Sequence, residues 1–160
     1  MTPRRVEPGE DHAALLQLIQ TSFAYMEGRI DPPSSMHQLS LENIAKHAEQ
    51  NEIWVIEQND TPIACIFLTV KPDTLYLGKL AVNESSRNKG LARALVTLAE
   101  NRARDLGKSK LELESRVELV ENHAAFAAMG FDIVGETAHP GYQNATSYTL
   151  QKPLKGTLGA

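Results

Sequence analysis

Apolar positions change their spacing several times along the 160-residue chain, and each change marks an element. Arg4, Arg5, Val6 and Glu7 read as a short edge strand closed by Pro8 and Gly9. From Asp11 the period lengthens. Leu15, Leu16, Ile19, Phe23 and Met26 recur at steps of three and four, predicting an amphipathic helix with Asp11 as N-cap and Gly28 beyond its end. Pro32 and Pro33 remove two backbone donors and make residues 29–36 a stiff loop. Ser40 then caps a second helix that presents Leu41, Ile44, Ala45 and Ala48 on one face.

Beyond Asn51 the pattern turns to β. Residues 53–57 and 63–70 predict a hairpin about an Asn59-Asp60 turn, and Pro72-Asp73 leads into a third strand over 75–82. A long helix over 90–106 points Leu91, Ala94, Leu95, Leu98 and Ala99 inward, with Gly107 at its C′ position. Residues 111–114 alternate strictly, so Glu112 and Glu114 face away from Leu111 and Leu113. A short helix over 122–129 ends at Gly130. Strands over 133–136 and 147–150 close the chain, joined by a loop that carries His139 and Tyr142. This order predicts a mixed α/β sheet with helices on both faces. It fills one domain, with an ordered core over 3–153 and a tail over 154–160.

Composition narrows the classes. Sixteen Lys and Arg against twenty Asp and Glu leave a formal charge of -4, which excludes an electrostatically driven nucleic-acid binder unless a local basic patch overrides the total. The single cysteine, Cys65, makes no internal disulfide, and a reducing cytoplasm is the default. No apolar stretch follows the N-terminal arginines, so no secretory signal is read. The longest apolar run, residues 62–70, falls far short of the ~20 residues of a membrane helix. His12, His37 and His47 read as surface histidines on polar helix faces without metal-ligand spacing, and Cys65 and Trp54 as core.

One junction carries chemistry. The strand end Leu80-Ala81-Val82 feeds residues 83–86 and then Arg87-Asn88-Lys89-Gly90-Leu91-Ala92, which opens the long helix. Free N–H groups and the positive end of the helix dipole converge there, a natural seat for phosphate or pyrophosphate. Gly90 lets a ligand approach the backbone, and Arg87 and Lys89 add cationic donors. The spacing is neither a Walker loop nor a dinucleotide fingerprint. A basic helix start with a solvated first turn fits the motif equally well.

Together with Asn122 and Phe126 in the later helix and Gly130 and Phe131 just after it, this arrangement resembles the GNAT superfamily of acyl-CoA-dependent N-acetyltransferases. The resemblance is densest over 75–131. It implies a mostly antiparallel mixed sheet of six to seven strands, splayed at the coenzyme site. By the same resemblance the turn of Arg87, Asn88, Lys89, Gly90, Leu91 and Ala92 holds the coenzyme A pyrophosphate. The edge of Leu80, Ala81 and Val82 pairs with the pantetheine arm and offers an N–H to the thioester oxygen, a role suited to a developing oxyanion. Asn122 touches the coenzyme or caps its helix, and Phe126 packs against the coenzyme. Acetyl-CoA is the implied co-substrate, no metal is needed, and homodimers are common in the family.

Two positions depart from the family pattern. Phe126 stands where many members carry a tyrosine acid, and Tyr76 where some carry a glutamate base. Glu114 is the substitute base, and Tyr76 an acid or a hydrogen-bonding partner of the acceptor. Arg29, Asp31 and Ser34, in the loop over 26–35, and His139 and Tyr142, before the last strand, border the acceptor side in this family. The resulting expectation is direct acetyl transfer from acetyl-CoA to a primary amine of a small molecule or peptide. The alternative is an acyl-CoA-binding sensor without turnover.

Overall fold

Asn59 and Asp60 are both left-handed, with φ of 53° and 61°, and they turn strand β2 (Glu52–Gln58) back onto β3 (Thr61–Val70). Two consecutive positive φ values match the right-handed twist of the paired strands. The computed structural model describes residues 2–154. Of the tail expected over 154–160, all but Leu154 lies outside the described residues. The remaining strands are β1 (Arg4–Arg5), β4 (Thr74–Val82), β5 (Lys110–Arg116), β6 (Asp132–Thr137) and β7 (Ser147–Pro153). They assemble in the order β1-β2-β3-β4-β5-β7-β6. Every pairing is antiparallel except β4 with β5. That parallel step requires a crossover, which helix α3 (Leu91–Asp105) supplies.

Apolar alternation divides the interior between the two faces of the sheet. On one face Leu75, Leu77, Leu111 and Leu113 pack with Leu95, Val96, Ala99 and Ala103 of α3 and with Phe131. On the other, Val55, Cys65, Phe67 and Ala81 meet α1 (Ala13–Ser22) and α2 (Leu41–Gln50) through Leu15, Leu18, Ile19, Ile44 and Ala48. Cys65 and the flanking core are buried as predicted, and burial pushes the Cys65 thiol up to about 12. Among the described residues no helix is long and apolar enough to cross a membrane.

Several local expectations need correction. Helix α1 stops at Ser22 and yields to a single 3₁₀ turn at Ala24–Met26, rather than continuing through Met26. Near that end the Thr21 hydroxyl donates to the carbonyls of Gln17 (2.8 Å) and Leu18 (3.2 Å), competing with the helical ladder. Its N-cap is His12, while the Asp11 carboxylate accepts from the Ala13 N–H at 2.9 Å. His12 is buried, not a surface residue, and its ring bonds the Pro8 carbonyl. Leu41 and Ala94 face solvent, whereas Val96 and Ala103 join the core. Helix α4 (Val120–Ala128) begins earlier than expected, so Asn122 lies in its first turn and Leu119 occupies the N-cap position. Ser40 does cap α2, its hydroxyl accepting from the Asn43 N–H at 3.1 Å.

The feature that makes a site is where β4 and β5 part. They pair only from Thr74 to Leu77 against Lys110 to Leu113. Beyond that point β4 stays with β3 as far as Val82, and β5 stays with β7 as far as Arg116. A β-bulge opposite Ile66 shifts the β3–β4 register, and its residue Lys79 is left-handed at φ 50°. An extra residue bends and twists the bulged strand, which turns the end of β4 away from β5.

Candidate active site

A cleft of about 1060 Å³ opens between the parted strands. One end is the turn before α3. Asn88 and Gly90 are left-handed (φ 65° and 78°), and Gly90 is the N-cap with no side chain capping the helix. The first bond of the helix is Ala94 N–H to the Gly90 carbonyl at 3.0 Å. Among the described residues the N–H groups of Asn88, Lys89, Gly90, Leu91 and Ala92 find no protein acceptor. A row of unsatisfied amides at the positive end of a 15-residue helix is an anion seat. A Cβ added to Gly90 would meet nothing within 4 Å, so the left-handed backbone, not crowding, is what calls for glycine.

Arg87 lines the cleft beside this turn. Its guanidinium donates to the carbonyls of Val82 and Ser22, each at 3.4 Å, and so fastens the strand end to the end of α1. Lys89 is exposed and lies outside the cleft lining. Leu80, Ala81, Val82, Gly90, Leu91 and Ala92 all line the cleft. Asn122 and Phe126 line it from α4. The Asn122 amide donates to the Tyr25 hydroxyl at 3.2 Å, and the Phe126 ring meets Phe131 edge-on at 5.6 Å.

At the other end stand Tyr76 and Glu114. The Tyr76 hydroxyl donates to Glu114 Oε1 at 3.4 Å, and the Thr137 hydroxyl approaches Oε2 at 3.5 Å. Burial pushes the Tyr76 phenol well above its ordinary value, and the Glu114 charge adds to the shift. Glu112 is occupied elsewhere, accepting from Gln151 (2.9 Å) and Lys71 (3.2 Å). The His139 ring bonds the Thr146 hydroxyl through Nδ1, and that hydroxyl also accepts from the His139 N–H at 3.0 Å.

Residues 27–34 form a strap across this end. Arg29 makes two bonds to the Glu121 carboxylate, at 2.8 and 2.9 Å, and holds that carboxyl down at about 2. The Asp31 N–H donates to Glu118 (3.2 Å), and the Tyr142 hydroxyl donates to the Asp31 carboxylate (2.5 Å). Arg116 donates to the carbonyls of Pro32 (2.6 Å) and Pro33 (3.0 Å). Arg29, Asp31 and Tyr142 therefore tie the strap down and do not line the cleft, whereas Ser34 and His139 do.

Sequence reasoning passed over Tyr25, Lys79 and Arg116, all of which line the cleft. Lys79 had a signal. A Gly-Lys pair interrupts the otherwise apolar run of β4, and glycine inside a strand often marks a bulge. Arg116 and Tyr25 carried none, because only the folded chain brings the strap, β5 and α4 together.

Residues 13–131 match the Acetyltransferase (GNAT) family. The chain is 28% identical over 156 residues to an IAA acetyltransferase of Azospirillum brasilense, covering 96% of this chain and 98% of that protein. Its fold superposes on PaiA N-acetyltransferase from Thermoplasma acidophilum in complex with coenzyme A, with a TM-score of 0.81 at 14% identity over 95% and 98% of the two chains. An IAA acetyltransferase from Bacillus cereus gives a TM-score of 0.67 at 22% identity over 96% and 99%.

Proposed function

Since the chain belongs to the GNAT acetyltransferase family, we propose that it moves the acetyl group of acetyl-CoA to a primary amine by direct attack. The observation that carries this reading is the row of unsatisfied amides from Asn88 to Ala92, opening onto the unpaired edge of β4. That row suits the pyrophosphate, and the β4 edge from Leu80 to Val82 suits the amide-bearing arm by strand addition. Gly90 leaves the approach free of side chain, while Phe126 and Asn122 flank it from α4.

In the transfer, a C–N bond forms as the C–S bond breaks: the ammonium loses one proton before attack, and the second proton of the attacking nitrogen passes through solvent to the departing thiolate, which leaves as free thiol. Glu114 takes the first proton directly or through water, because it is a carboxylate at the acceptor end with both oxygens oriented by hydroxyls. Tyr76 orients Glu114 and does not act as the acid. A phenol raised above its usual ~10 gives its proton uphill to a thiolate whose own pKa is ~8.5. An N–H of the β4 edge stabilises the developing oxyanion. The thiol of Cys65 takes no part, being buried and protonated.

Release of free thiol from acetyl-CoA with a panel of primary amines tests this reading. Amine-dependent release is the expected result. If coenzyme A stabilises the protein yet no amine drives release, the chain is a sensor. If coenzyme A gives no stabilisation, the assignment of the turn is wrong.

A further inference from the structure

Lys79 stands apart from the other cations of the cleft. Arg87 and Arg116 are engaged by backbone carbonyls, and Arg93, at the α3 end of the lining, is exposed to solvent. Lys79 is half-buried, and among the described residues its ammonium makes one hydrogen bond, to the Ser35 hydroxyl at 3.3 Å. Among the described residues no carboxylate pairs with it, although Glu112 and Glu114 sit on the neighbouring strand. Lysine is rarely buried without a partner, and burial here lowers its ammonium with no carboxylate to offset the effect.

Its placement is built, not incidental. Strict alternation along β4 would follow Leu77 and Gly78 with a side chain directed at the α3 core. The bulge intervenes: Gly78 stays opposite Phe67, Ala81 comes opposite Cys65, and Lys79 adopts φ 50°. The bulge therefore directs Lys79 to the α1 and α2 face, where Ser35 meets it and Tyr76 and Glu114 already stand. Holding a non-glycine residue left-handed strains the backbone, and the surrounding fold must sustain that strain.

We propose that the bulge presents Lys79 as the seat of an anionic group on the acceptor, and that the acceptor is an amino carboxylate, its amine at Glu114 and its carboxylate at Lys79. This rests on the acetyltransferase reading for what happens to the amine, but the pairing with Lys79 is a binding property and is measured without turnover. A carboxylate and an ammonium at the same end of a cleft, each held by neutral hydroxyls and by no opposite charge, are complementary to a zwitterion. A neutral amine would leave Lys79 desolvated and unpaired, which selects against it.

The test is calorimetric titration of the coenzyme A-loaded protein with free L-amino acids and short ω-amino acids, each paired with its carboxamide. Native protein is expected to bind at least one acid about 10- to 100-fold more tightly than its amide, the size of one charge-assisted hydrogen bond. Lys79→Met should bring that ratio close to unity, while Lys79→Arg should retain most of it. Circular dichroism and the coenzyme A-induced thermal shift verify that each variant is folded. The inference is overturned if every acid binds no better than its amide, or if Lys79→Met keeps the full ratio. Failure of the transfer reading looks different: acids bind with the expected ratio and Lys79 dependence, yet no thiol is released from acetyl-CoA.

Discussion

Gly90→Glu separates stability from coenzyme binding. Gly90 sits at φ 78° and ψ 13°, and a side chain there costs ~1–2 kcal/mol in backbone strain. No steric penalty adds to this, since the new Cβ meets no atom within 4 Å. A carboxylate at the N-cap recovers about 0.3–1 kcal/mol from the helix dipole. The variant should therefore lose roughly 0–2 kcal/mol, which for a chain this size lowers Tm by about 0–8 °C. Gly90→Ala lacks the recovery and should fall about 2–8 °C. Ligand response inverts that ranking. Coenzyme A at ~100 times its Kd adds about 2.7 kcal/mol to the native protein, a rise of roughly 5–11 °C. In Gly90→Glu the new carboxylate occupies the amides and repels the pyrophosphate, so the rise should vanish, whereas Gly90→Ala should keep part of it. Differential scanning fluorimetry with and without coenzyme A reads all three proteins. A Gly90→Glu variant that still gains the native shift would refute the assignment of the anion to this turn.

Glu114→Gln should lower kcat/KM for the amine by about 10²- to 10⁴-fold while leaving the KM for acetyl-CoA unchanged, measured by steady-state thiol release. Tyr76→Phe should reduce the rate modestly and leave the alkaline limb of the pH–rate profile in place; loss of that limb would restore Tyr76 as an acid. Arg116→Ala frees the carbonyls of Pro32 and Pro33, weakens the strap by about 2 kcal/mol and should raise both the amine KM and hydrogen exchange over 27–34. Burial pushes Glu52 up, but Arg102 (2.6 Å), Trp54 and Arg5 outweigh it and hold its carboxyl below the ordinary range. Because the folded value is the lower one, this stabilisation is present above the unfolded carboxylate's ~4.3 and fades as pH falls through the folded value. Glu52→Gln should thus cost about 2 kcal/mol at neutral pH, discounted for the partly exposed Arg102, and progressively less below about pH 4 in urea unfolding.

Local patterning accounts for most of the architecture. The alternation of Leu111, Glu112, Leu113 and Glu114 set both the strand and its faces, since a period of two admits only one division into inside and outside. Ser40, Gly107 and the Asn59-Asp60 turn were readable because caps and tight turns depend on one or two residues and their immediate backbone. The anion turn was legible for the same reason: a strand end, a glycine and a helix start are contiguous in the chain.

What lay beyond the sequence is set by residues far apart in it. That Arg29 binds Glu121 and Tyr142 binds Asp31 follows from the strap meeting α4 and the β6–β7 loop, at separations of 92 and 111 residues. The motif did not show that Arg87 also donates to the carbonyls of Val82 and Ser22, the second of them 65 residues away. Lys79 lies between these cases. Its charge inside an apolar strand was visible, but its direction was not, because a single extra residue against β3 decides which face it reaches. Periodicity reports the side a residue occupies only while the register holds, and the bulge that breaks the register is a property of the paired sheet.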